Sequence, residues 1–560
     1  MRNPNKLQLK QLSSLAKVFL DKINCPTKIT DKKCVRGQEF SYQIAYRTTR
    51  EVYEVIPYEV EIKADPGLKI SVYRVENVPS TLPFFKGDNR SDNDFITKKP
   101  GLFPDPLIPL EDNKLGVRTD FWQSLWITVK VPESTQAGSY KISVGFKNED
   151  GTLAAKKSFI VEVYPQVLPE ARLLMGQWFH CDCIADIHNV EVFSEEHWAL
   201  VEQYMRLAVD NGMNVIFTPV LTPPVDTLVG GERPTVQLVD ITRTGKDEYT
   251  FDFSRLQRWI ALALDCGFTY FEINHFFTQW GAAHAPKVIA TVNGEKKRIF
   301  GWETVGTGEE YSNFLKQLIP AIINEFASVG IERKRLLFHV SDEPTPEKEK
   351  LEAYSAASAL IQPMIKGCSQ FDALSHYDFY ENGSVWEPVV TNNNIQIFID
   401  RGVPNLWVYY CCWQGDKVGN RLMAMPSYRN RILGVQMYRS GIRGFLHWGY
   451  NFYYTSMSVR MCDPYKETDC GGAFVSGDAF SVYPYKNGAT PALRMKVFYE
   501  ALQDARLLML VEEKIGKEAV NKALDDICIE MCGTSLSFID YPHTDKIFDR
   551  ISDFIFDNLK

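Results

Sequence analysis

The sequence contains no apolar run near the ~20 residues that a helix needs to cross a bilayer, which excludes a protein with a membrane span. It also has no excess of basic residues, because 62 Lys and Arg stand against 70 Asp and Glu, for a formal net charge of −8. Proteins that bind duplexes use such an excess to displace counterions from phosphates. Nucleic acid is therefore not an expected partner.

The short motifs of several enzyme classes are also missing. The chain has no GxSxG, no HExxH, no P-loop and no GxGxxG after a strand. The chain therefore lacks the motif residues that identify a serine hydrolase, a zinc protease or an enzyme that uses nucleotides or dinucleotides. No cofactor is expected.

The twelve cysteines form no CxxC pair, and several lie in apolar surroundings typical of reduced, buried thiols. Cys181, Cys183 and His188 are close in sequence, but their spacing fits no common zinc pattern. Cys181 and Cys183 are predicted to lie on a strand, where residues two apart point to the same face, so both would pack against a core. The sequence therefore predicts no metal site. Cys462 and Cys470, in a polar loop, could form a disulfide in an oxidising compartment.

The N-terminal residues, Met1 to Lys17, lack the apolar centre and the small-residue cleavage site of a secretory signal. As written, the chain is expected in the cytoplasm. If a signal peptide has been removed from the chain, the protein is expected in the periplasm or outside the cell.

The chain of 560 residues exceeds what one compact core usually holds, so at least two domains are expected. Residues 1–165 show short stretches of period-two alternation, which predict an N-terminal β-sandwich. The strands are expected at Glu39 to Arg47, Val55 to Lys63, Leu68 to Val75, Phe121 to Val131 and Ser158 to Tyr164. Pro83 to Pro109, rich in Pro, Asp, Asn and Gly, is predicted to be a long loop of the kind that often reaches a neighbouring site.

After Pro165 the pattern changes to apolar strand, loop and amphipathic helix, repeated, which is typical of βα units around a parallel sheet. Residues 166–490 contain eight such strands, the number that closes a (β/α)8 barrel. They are predicted at Leu174 to His180, Asn214 to Val220, Thr269 to His275, Leu336 to Ser341, Phe371 to His376, Val385 to Val390, Leu406 to Tyr410 and Gly444 to Trp448. Residues 491–560 are predicted to form a short C-terminal helical region. The fold class is therefore α/β.

Two adjacent carboxylates, Asp342 and Glu343, follow the fourth predicted barrel strand, at the end where such barrels carry catalytic groups. Packed together out of bulk water they cannot both ionise freely, so the pKa of one should rise towards that of a general acid. The next helix is expected to begin at once, with Thr345 as its N-cap and Pro346 at its first position. A solvated acidic pair at a helix N-terminus is the alternative.

Polar and aromatic residues collect in and after the other strands of the predicted barrel. A sugar binds by stacking its apolar ring face on an aromatic side chain while polar groups take its hydroxyls, so this grouping favours a carbohydrate site. The candidate substrate-binding residues are Trp178, His180, Asp182, Asn274, His275, His339, His376, Tyr409, Trp413, Trp448 and Asp478.

Four segments, taken together and in this order, resemble the glycoside hydrolase family 123 β-N-acetylgalactosaminidases and related glycosidases. They are Ser341-Asp342-Glu343-Pro344, Pro404-Asn-Leu-Trp-Val-Tyr-Tyr-Cys411, Gly444-Phe-Leu-His-Trp-Gly-Tyr450 and Gly477-Asp478-Ala-Phe-Ser-Val-Tyr483-Pro484. The resemblance implies exo-hydrolysis of a terminal β-linked N-acetylgalactosamine with retention of configuration. The implied substrate is an oligosaccharide or a glycolipid head group.

The same resemblance implies roles for individual residues. Glu343 would be the general acid and then the base, and Asp342 would orient the 2-acetamido group whose oxygen attacks the anomeric carbon. A tyrosine, Tyr409 or Tyr410, would donate a hydrogen bond to that oxygen. Only one of the two can face the barrel mouth, and Tyr410 is the preferred candidate. Trp448 would lie under the terminal sugar and Asp478 would hold ring hydroxyls.

Two alternatives remain open from the sequence. The first is a glycosidase of the same fold that acts on a sugar without an acetamido group, with a distant second carboxylate such as Asp182, Glu272 or Asp378. The second is a carbohydrate-binding protein whose barrel has no turnover.

Overall fold

The computed structural model describes residues 7–49, 55–85 and 92–560. The first part of the described chain is built from strands. They are β1 (Leu7–Ser13), β2 (Lys17–Val18), β3 (Ile23–Asn24), β4 (Asp31–Arg36), β5 (Glu39–Thr48), β6 (Ile56–Ala64), β7 (Lys69–Ser80), β8 (Gly101–Pro109), β9 (Lys114–Val117), β10 (Gln123–Lys130), β11 (Gly138–Lys147) and β12 (Leu153–Val167).

Ten of these strands form two five-stranded sheets, in the orders β1-β5-β10-β7-β8 and β4-β12-β11-β6-β9. Their pairings are antiparallel except for β4 with β12, which run parallel. The inner faces pack on each other through buried apolar residues, including Tyr42 and Phe159, whose rings stack with centroids 4.2 Å apart. The predicted β-sandwich is confirmed.

The prediction of one long loop from Pro83 to Pro109 is wrong at its C-terminal end, where Gly101–Pro109 form β8. Residues 86–91 lie outside the described part of the chain. Strand β8 lies at the edge of its sheet beside β7. An edge strand tolerates proline because one side of its backbone needs no hydrogen-bond partner, so Pro104, Pro106 and Pro109 did not prevent a strand here.

The next part of the described chain alternates strands and helices. It contains β13 (Leu174–Gln177), α1 (Cys181–His188), α2 (Glu195–Asp210), β14 (Val215–Thr218), β15 (Asp240–Arg243), β16 (Tyr249–Asp252), α3 (Ser254–Cys266), β17 (Tyr270–Ile273), β18 (Val288–Val292), β19 (Glu295–Phe300), α4 (Glu309–Ser328), β20 (Leu336–Phe338), α5 (Lys348–Ile361), β21 (Ser369–Ala373), α6 (Asp378–Glu381), β22 (Glu387–Thr391), α7 (Ile395–Asp400), β23 (Trp407–Tyr409), α8 (Ser427–Arg439) and β24 (Gly444–His447).

Strands β13, β14, β17, β20, β21, β22, β23 and β24 close into a parallel barrel in that order. Each overlaps one of the eight predicted strands, so the predicted barrel is confirmed. The remaining strands, β15, β16, β18 and β19, form a separate four-stranded sheet within the segments that follow β14 and β17. The barrel strands are buried except at Tyr270, the partly exposed first residue of β17, which is why their sequences read as apolar runs.

Two local predictions in the barrel are wrong. Cys181 and Cys183 lie in helix α1 and not on a strand, because β13 ends at Gln177. Helix α5 begins at Lys348 with Glu347 at its N-cap, and Thr345 does not cap it. Thr345 precedes Pro346, and a residue before proline is disfavoured in the helical region, which moves the start of the helix down the chain.

The chain ends in a hairpin, β25 (Val482–Tyr485) and β26 (Gly488–Pro491), and in helices α9 (Leu493–Ile515), α10 (Lys517–Cys532) and α11 (Lys546–Leu559). The predicted C-terminal helices are therefore present. Across the described residues, no helix is both long enough and apolar enough to cross a membrane. All twelve cysteines are free, and the buried Cys462 and Cys470 contact each other through their thiols.

Helix α9 joins the sandwich through buried polar contacts. Arg494 forms a salt bridge with Asp105 of β8, Nε to Oδ1 at 2.8 Å, and both side chains are fully buried. Further along the helix, Glu500 accepts hydrogen bonds from the Ser14 hydroxyl at 2.7 Å and from the backbone N–H of Ser41 at 2.9 Å. The sandwich is therefore attached to the helix that follows the barrel.

We predict that Asp105→Asn lowers the free energy of unfolding by about 3–5 kcal/mol, because the Arg494 charge would be left buried without its partner. Urea unfolding followed by tryptophan fluorescence measures this change. The matched control is Glu352→Gln, which breaks an exposed pair with Lys348 at 3.8 Å. The control should leave the midpoint unchanged, and an unchanged midpoint in Asp105→Asn would contradict the prediction.

Candidate active site

A cleft of about 350 Å³ opens at the carboxyl end of the barrel strands. Its walls are the segments that follow β13, β14, β17, β20, β23 and β24, together with Phe85 from the sandwich. Eight of the residues predicted from the sequence line it. They are Trp178, His180, Asp342, Glu343, Tyr409, Trp413, Trp448 and Asp478.

The two catalytic candidates, Asp342 and Glu343, occupy a sharp turn at the end of β20. Glu343 has a φ of 38°, in the left-handed region that a residue with a side chain seldom adopts. Its backbone N–H donates to the carbonyl of Ala373 at 3.1 Å, and the Ser341 hydroxyl donates to the carbonyl of Thr278 at 2.7 Å. Strain of this kind is typical of functional sites whose surroundings fix the backbone.

The Glu343 carboxylate accepts a hydrogen bond from the Tyr409 hydroxyl at 2.7 Å. Burial raises the pKa of Glu343 above its usual range, and the nearby Asp478 adds to the rise, while the Tyr409 hydrogen bond opposes it. A carboxyl group with a raised pKa keeps a proton at higher pH, which is what a general acid requires.

The pKa of Asp342 is raised well above its usual range as well. Burial is the main cause, the neighbouring Glu343 charge adds to it, and the cationic His339 acts in the opposite direction. The pair therefore resists carrying two negative charges at once, as the sequence predicted for carboxylates packed side by side.

Beneath the cleft floor, His339 is fully buried between two carboxylates. Its Nε2 lies 2.7 Å from Glu272 Oε1 and its Nδ1 lies 2.9 Å from Asp372 Oδ1. Burial alone would lower the pKa of His339, but these two hydrogen bonds outweigh it and raise the pKa to about 9. A positive charge therefore lies under the acid pair at neutral pH.

Two tryptophans of the cleft are oriented by carboxylates. Trp178 donates its indole N–H to Glu272 at 2.7 Å, and Trp448 donates its indole N–H to Asp478 at 2.9 Å. The second oxygen of Asp478 is buried and has no hydrogen-bond partner, although His447 Nε2 is 3.4 Å from it.

Behind one wall, Asp182 forms a salt bridge with Arg233, Nε to Oδ2 at 2.7 Å, with both side chains nearly inaccessible. Arg233 also donates to Nδ1 of His180 at 3.1 Å, so the Nε2–H of this histidine donates to the carbonyl of Trp448 at 2.9 Å. Burial and Arg233 lower the pKa of His180 to about 3, which keeps it neutral. Asp182 therefore supports the wall from behind and does not line the cleft.

Five more of the predicted residues lie outside the cleft lining. His339 is beneath it, and His275 stacks on His339 with ring centroids 4.1 Å apart. Asn274 is buried and accepts a hydrogen bond from the backbone N–H of Leu221 at 3.0 Å. His376 is exposed after β21. Tyr410 packs in the interior against His447, with ring centroids 5.2 Å apart.

The preference for Tyr410 over Tyr409 is therefore corrected. The two residues point to opposite sides because β23 is extended, and Tyr409 is the one that reaches Glu343. The alternation of the strand showed that only one could face the cleft, but it did not show which one.

Several residues of the cleft did not stand out in the sequence. They include Asp226, Gln279, Cys411, Cys412, Met457 and Phe474. Asp226 and Gln279 lie several residues beyond the ends of their strands, and Met457 and Phe474 lie in the long segment after β24. The only available signal was the length of those segments. Arg233 was missed for the same reason.

His275, His339 and Asp372 are close enough together to be considered as metal ligands, with ligand atoms within 4.8 Å of one another. Both nitrogens of His339 are already engaged by Glu272 and Asp372. Asp372 also accepts hydrogen bonds from the Tyr354 hydroxyl and from the backbone N–H of Val340. His339 and Asp372 are therefore held in a hydrogen-bonded network, whereas neither ring nitrogen of the buried His275 has a hydrogen-bond partner.

A pair of carboxyl groups and several aromatic walls at the carboxyl end of an eight-stranded barrel define the class of barrel glycoside hydrolases. Residues 178–511 match the family described as "Glycoside hydrolase 123, catalytic domain". The chain belongs to this family, as the sequence motifs indicated. A search by sequence among curated proteins finds no match.

Solved structures agree with the fold. A family 123 glycoside hydrolase from Clostridium perfringens, described in terms of glycolipid glycan hydrolysis, is similar over 99% of this chain and 98% of its own, with a TM-score of 0.71 and 13% identity. An endo-β-1,4-mannanase from Thermotoga petrophila is similar over 60% of this chain and 77% of its own, with a TM-score of 0.34 and 13% identity. The first likeness establishes the fold, and the second is too distant to carry an argument.

We predict that Tyr409→Phe moves the alkaline limb of the pH profile of kcat/KM to higher pH. A general acid is active while protonated, so activity falls as pH rises through the pKa of Glu343. Removing the Tyr409 hydroxyl removes a hydrogen bond that lowers this pKa, so the pKa rises further. Tyr410→Phe deletes the same atom outside the cleft and should not move the limb. A limb that stays in place or moves to lower pH in Tyr409→Phe would refute the prediction.

Proposed function

We propose that this chain is a retaining exo-glycoside hydrolase that releases terminal β-linked N-acetylgalactosamine, with the 2-acetamido group of the substrate as the nucleophile. The observation that carries the proposal is the acid pair. Asp342 and Glu343 are adjacent in the chain at one side of the cleft, and Glu343 has a raised pKa and a bound tyrosine hydroxyl.

The arrangement of carboxylates supports a nucleophile from the substrate. A conventional retaining enzyme needs two carboxyl groups about 5–5.5 Å apart across the sugar, whereas substrate-assisted families do without the second. The three distant candidates for a second carboxylate lie outside the cleft lining. Asp182 is paired with Arg233, Glu272 is buried under Trp178, and Asp378 is exposed at the start of α6.

In the proposed first step, the acetamido oxygen attacks the anomeric carbon while Glu343 protonates the departing glycosidic oxygen. The C–O bond to the aglycone breaks, and a cyclic oxazolinium forms on the sugar. Asp342 accepts a hydrogen bond from the acetamido N–H and stabilises the positive charge that develops there. The Tyr409 hydroxyl, which donates its single proton to Glu343 in the free protein, is proposed to turn it to the acetamido oxygen once the substrate is bound.

In the second step, Glu343 removes a proton from a water molecule that attacks the anomeric carbon on the face opposite the acetamido oxygen. The bond between that carbon and the acetamido oxygen breaks, which restores the acetamido group. Two inversions give net retention. The Trp448 ring is proposed to lie under the terminal sugar, and the unpartnered oxygen of Asp478 is proposed to accept a ring hydroxyl.

The substrate class follows from the family and from the lining of the cleft. The family 123 relative from Clostridium perfringens is described in terms of glycolipid glycans. An oligosaccharide or a glycolipid head group that ends in β-N-acetylgalactosamine is therefore the substrate we propose.

A second candidate function is hydrolysis of a sugar without an acetamido group. It is favoured by one observation, since Asp226 also places a carboxylate on the cleft lining. Such an enzyme would use Asp226 as its second carboxylate.

We predict that the chain cleaves aryl β-glycosides of N-acetylgalactosamine and not those of galactose or glucose. The aryl β-glycoside of N-acetylglucosamine is assayed beside them, and its rate of cleavage compared with that of the N-acetylgalactosamine glycoside shows which of the two sugars is preferred. Glu343→Gln should lower kcat/KM by about 10²–10⁴-fold on a disaccharide, and by less on nitrophenyl glycosides because nitrophenolate leaves without a proton. Asp378→Asn, outside the cleft, should keep full activity. Cleavage of the plain hexosides would overturn the acetamido mechanism in favour of the second candidate, and no effect of Glu343→Gln would overturn the assignment of the acid.

A further prediction concerns the intermediate itself. A thiazoline analogue of the cyclic intermediate should bind at least about 10²-fold more tightly than free N-acetylgalactosamine, because the site is complementary to that state. Asp342→Asn should weaken this binding, since it removes the carboxylate that faces the acetamido nitrogen. Isothermal titration calorimetry measures both constants. Equal affinity for the thiazoline and the free sugar would contradict substrate assistance.

A further inference from the structure

We propose that Trp413, backed by Phe85 of the sandwich, and Trp280 on the opposite wall form a second sugar subsite that takes a neutral hexose next to the terminal sugar. This inference rests on the proposed function, because it extends the same cleft outward from the acid pair.

The two tryptophans come from opposite sides of the barrel. Trp280 follows β17 and Trp413 follows β23, which are the third and seventh of the eight strands in the closed order. Strands four positions apart in a ring of eight face each other across its axis. Both side chains line the cleft, so they bound it on two opposing walls.

Their exposure places them above the first sugar. Trp178 is 3% exposed, whereas Trp280 and Trp413 are 41% and 63% exposed. Trp178 is held by Glu272 at the base of the cleft, and Trp448 is held by Asp478 beside it. The deep tryptophans therefore serve the sugar at the acid pair, and the outer two remain for the next unit. Large exposed aromatic faces of this kind are the surfaces on which sugar rings stack.

The ring of Trp413 is supported by a second aromatic ring. The ring of Phe85 stacks on it with centroids 4.7 Å apart and an interplanar angle of 30°. The segment that carries Phe85 is attached to the loop before Asp478, because the Ser80 hydroxyl donates to the Ser476 hydroxyl at 2.7 Å and the N–H of Ser476 donates to the carbonyl of Leu82 at 2.9 Å. The sandwich therefore contributes directly to the cleft wall.

Trp280 is tied to the acid pair through its backbone. Its N–H donates to the carbonyl of Asp342 at 2.8 Å, and its φ of 63° lies in the left-handed region. The neighbouring residue, Gln279, is 7% exposed, and its Oε1 has no hydrogen-bond partner. Asp226, also on this wall, has an unpartnered Oδ2.

These unpartnered atoms indicate the chemistry of the ligand. Both are acceptors, so they call for donors, and the hydroxyl groups of a neutral sugar supply them. An acidic sugar would bring its carboxylate close to Asp226 and the acid pair, which disfavours it. The subsite is therefore suited to a neutral hexose, and the preferred substrates carry at least two sugars.

The test compares two substrates with the same terminal sugar: methyl β-N-acetylgalactosaminide, which ends at the first sugar, and a disaccharide in which the methyl group is replaced by galactose. The variants are Trp413→Ala, Trp280→Ala and Phe85→Ala. Phe121→Ala, which removes an exposed aromatic ring from the sandwich outside the cleft, is the control. Each protein is assayed for kcat/KM on both substrates and for the inhibition constant of the thiazoline, which occupies the first subsite alone.

We expect each tryptophan variant to lose about tenfold in kcat/KM on the disaccharide, the scale of one aromatic stacking contact. Phe85→Ala should lose activity on the disaccharide as well. The methyl glycoside and the thiazoline should change less than about twofold, and the control should change neither. Equal losses on both substrates, or no loss on the disaccharide, would overturn the subsite.

Failure of the proposed function gives a different result. In that case the wild-type chain neither binds the thiazoline nor cleaves the methyl glycoside of the acetamido sugar. The same pair of substrates is then built on whichever hexoside the wild type cleaves, and the variants are compared again. A selective loss on the disaccharide would still support the subsite, and its absence would still reject it.

Discussion

The cleft depends on the buried imidazole of His339. Its two hydrogen bonds, to Glu272 and Asp372, connect β17, β20 and β21, and Glu272 extends the network to Trp178 after β13. One cation between two carboxylates offsets half of their combined charge, and the hydrogen bonds fix the geometry of this layer. The turn that carries Asp342 and Glu343 lies directly above it, so the position of the acid pair is set by residues outside the cleft lining.

The same layer controls the electrostatics of the site. Two carboxyl groups on adjacent residues repel each other once both are ionised, and burial increases that repulsion. The cationic His339 favours the ionised form of Asp342, and the Tyr409 hydroxyl donates a hydrogen bond to Glu343. Each carboxyl group therefore has its own neighbour that favours its ionised form, His339 for Asp342 and Tyr409 for Glu343.

Much of this arrangement was predictable from the sequence. The eight barrel strands were visible because buried parallel strands are continuous apolar runs, and the acid pair was visible because it follows one of them directly. The burial of His275, Asn274 and Tyr410 was not visible, since a strand's pattern does not say which of its last residues point into the mouth. Arg233, Asp226 and Gln279 lie in long connecting segments, whose paths depend on tertiary contacts and not on local periodicity.

The attachment of α9 to the sandwich restricts how this protein can be recombined. The matched family segment ends within α9, but Arg494 and Glu500 of that helix are satisfied by Asp105, Ser14 and Ser41 from the first part of the chain. With Phe85 against Trp413, the sandwich also completes the wall of the cleft. A chimera that exchanged the sandwich for that of a relative would have to inherit both sets of contacts. The two parts are therefore expected to diverge together as one unit of inheritance and not as interchangeable modules.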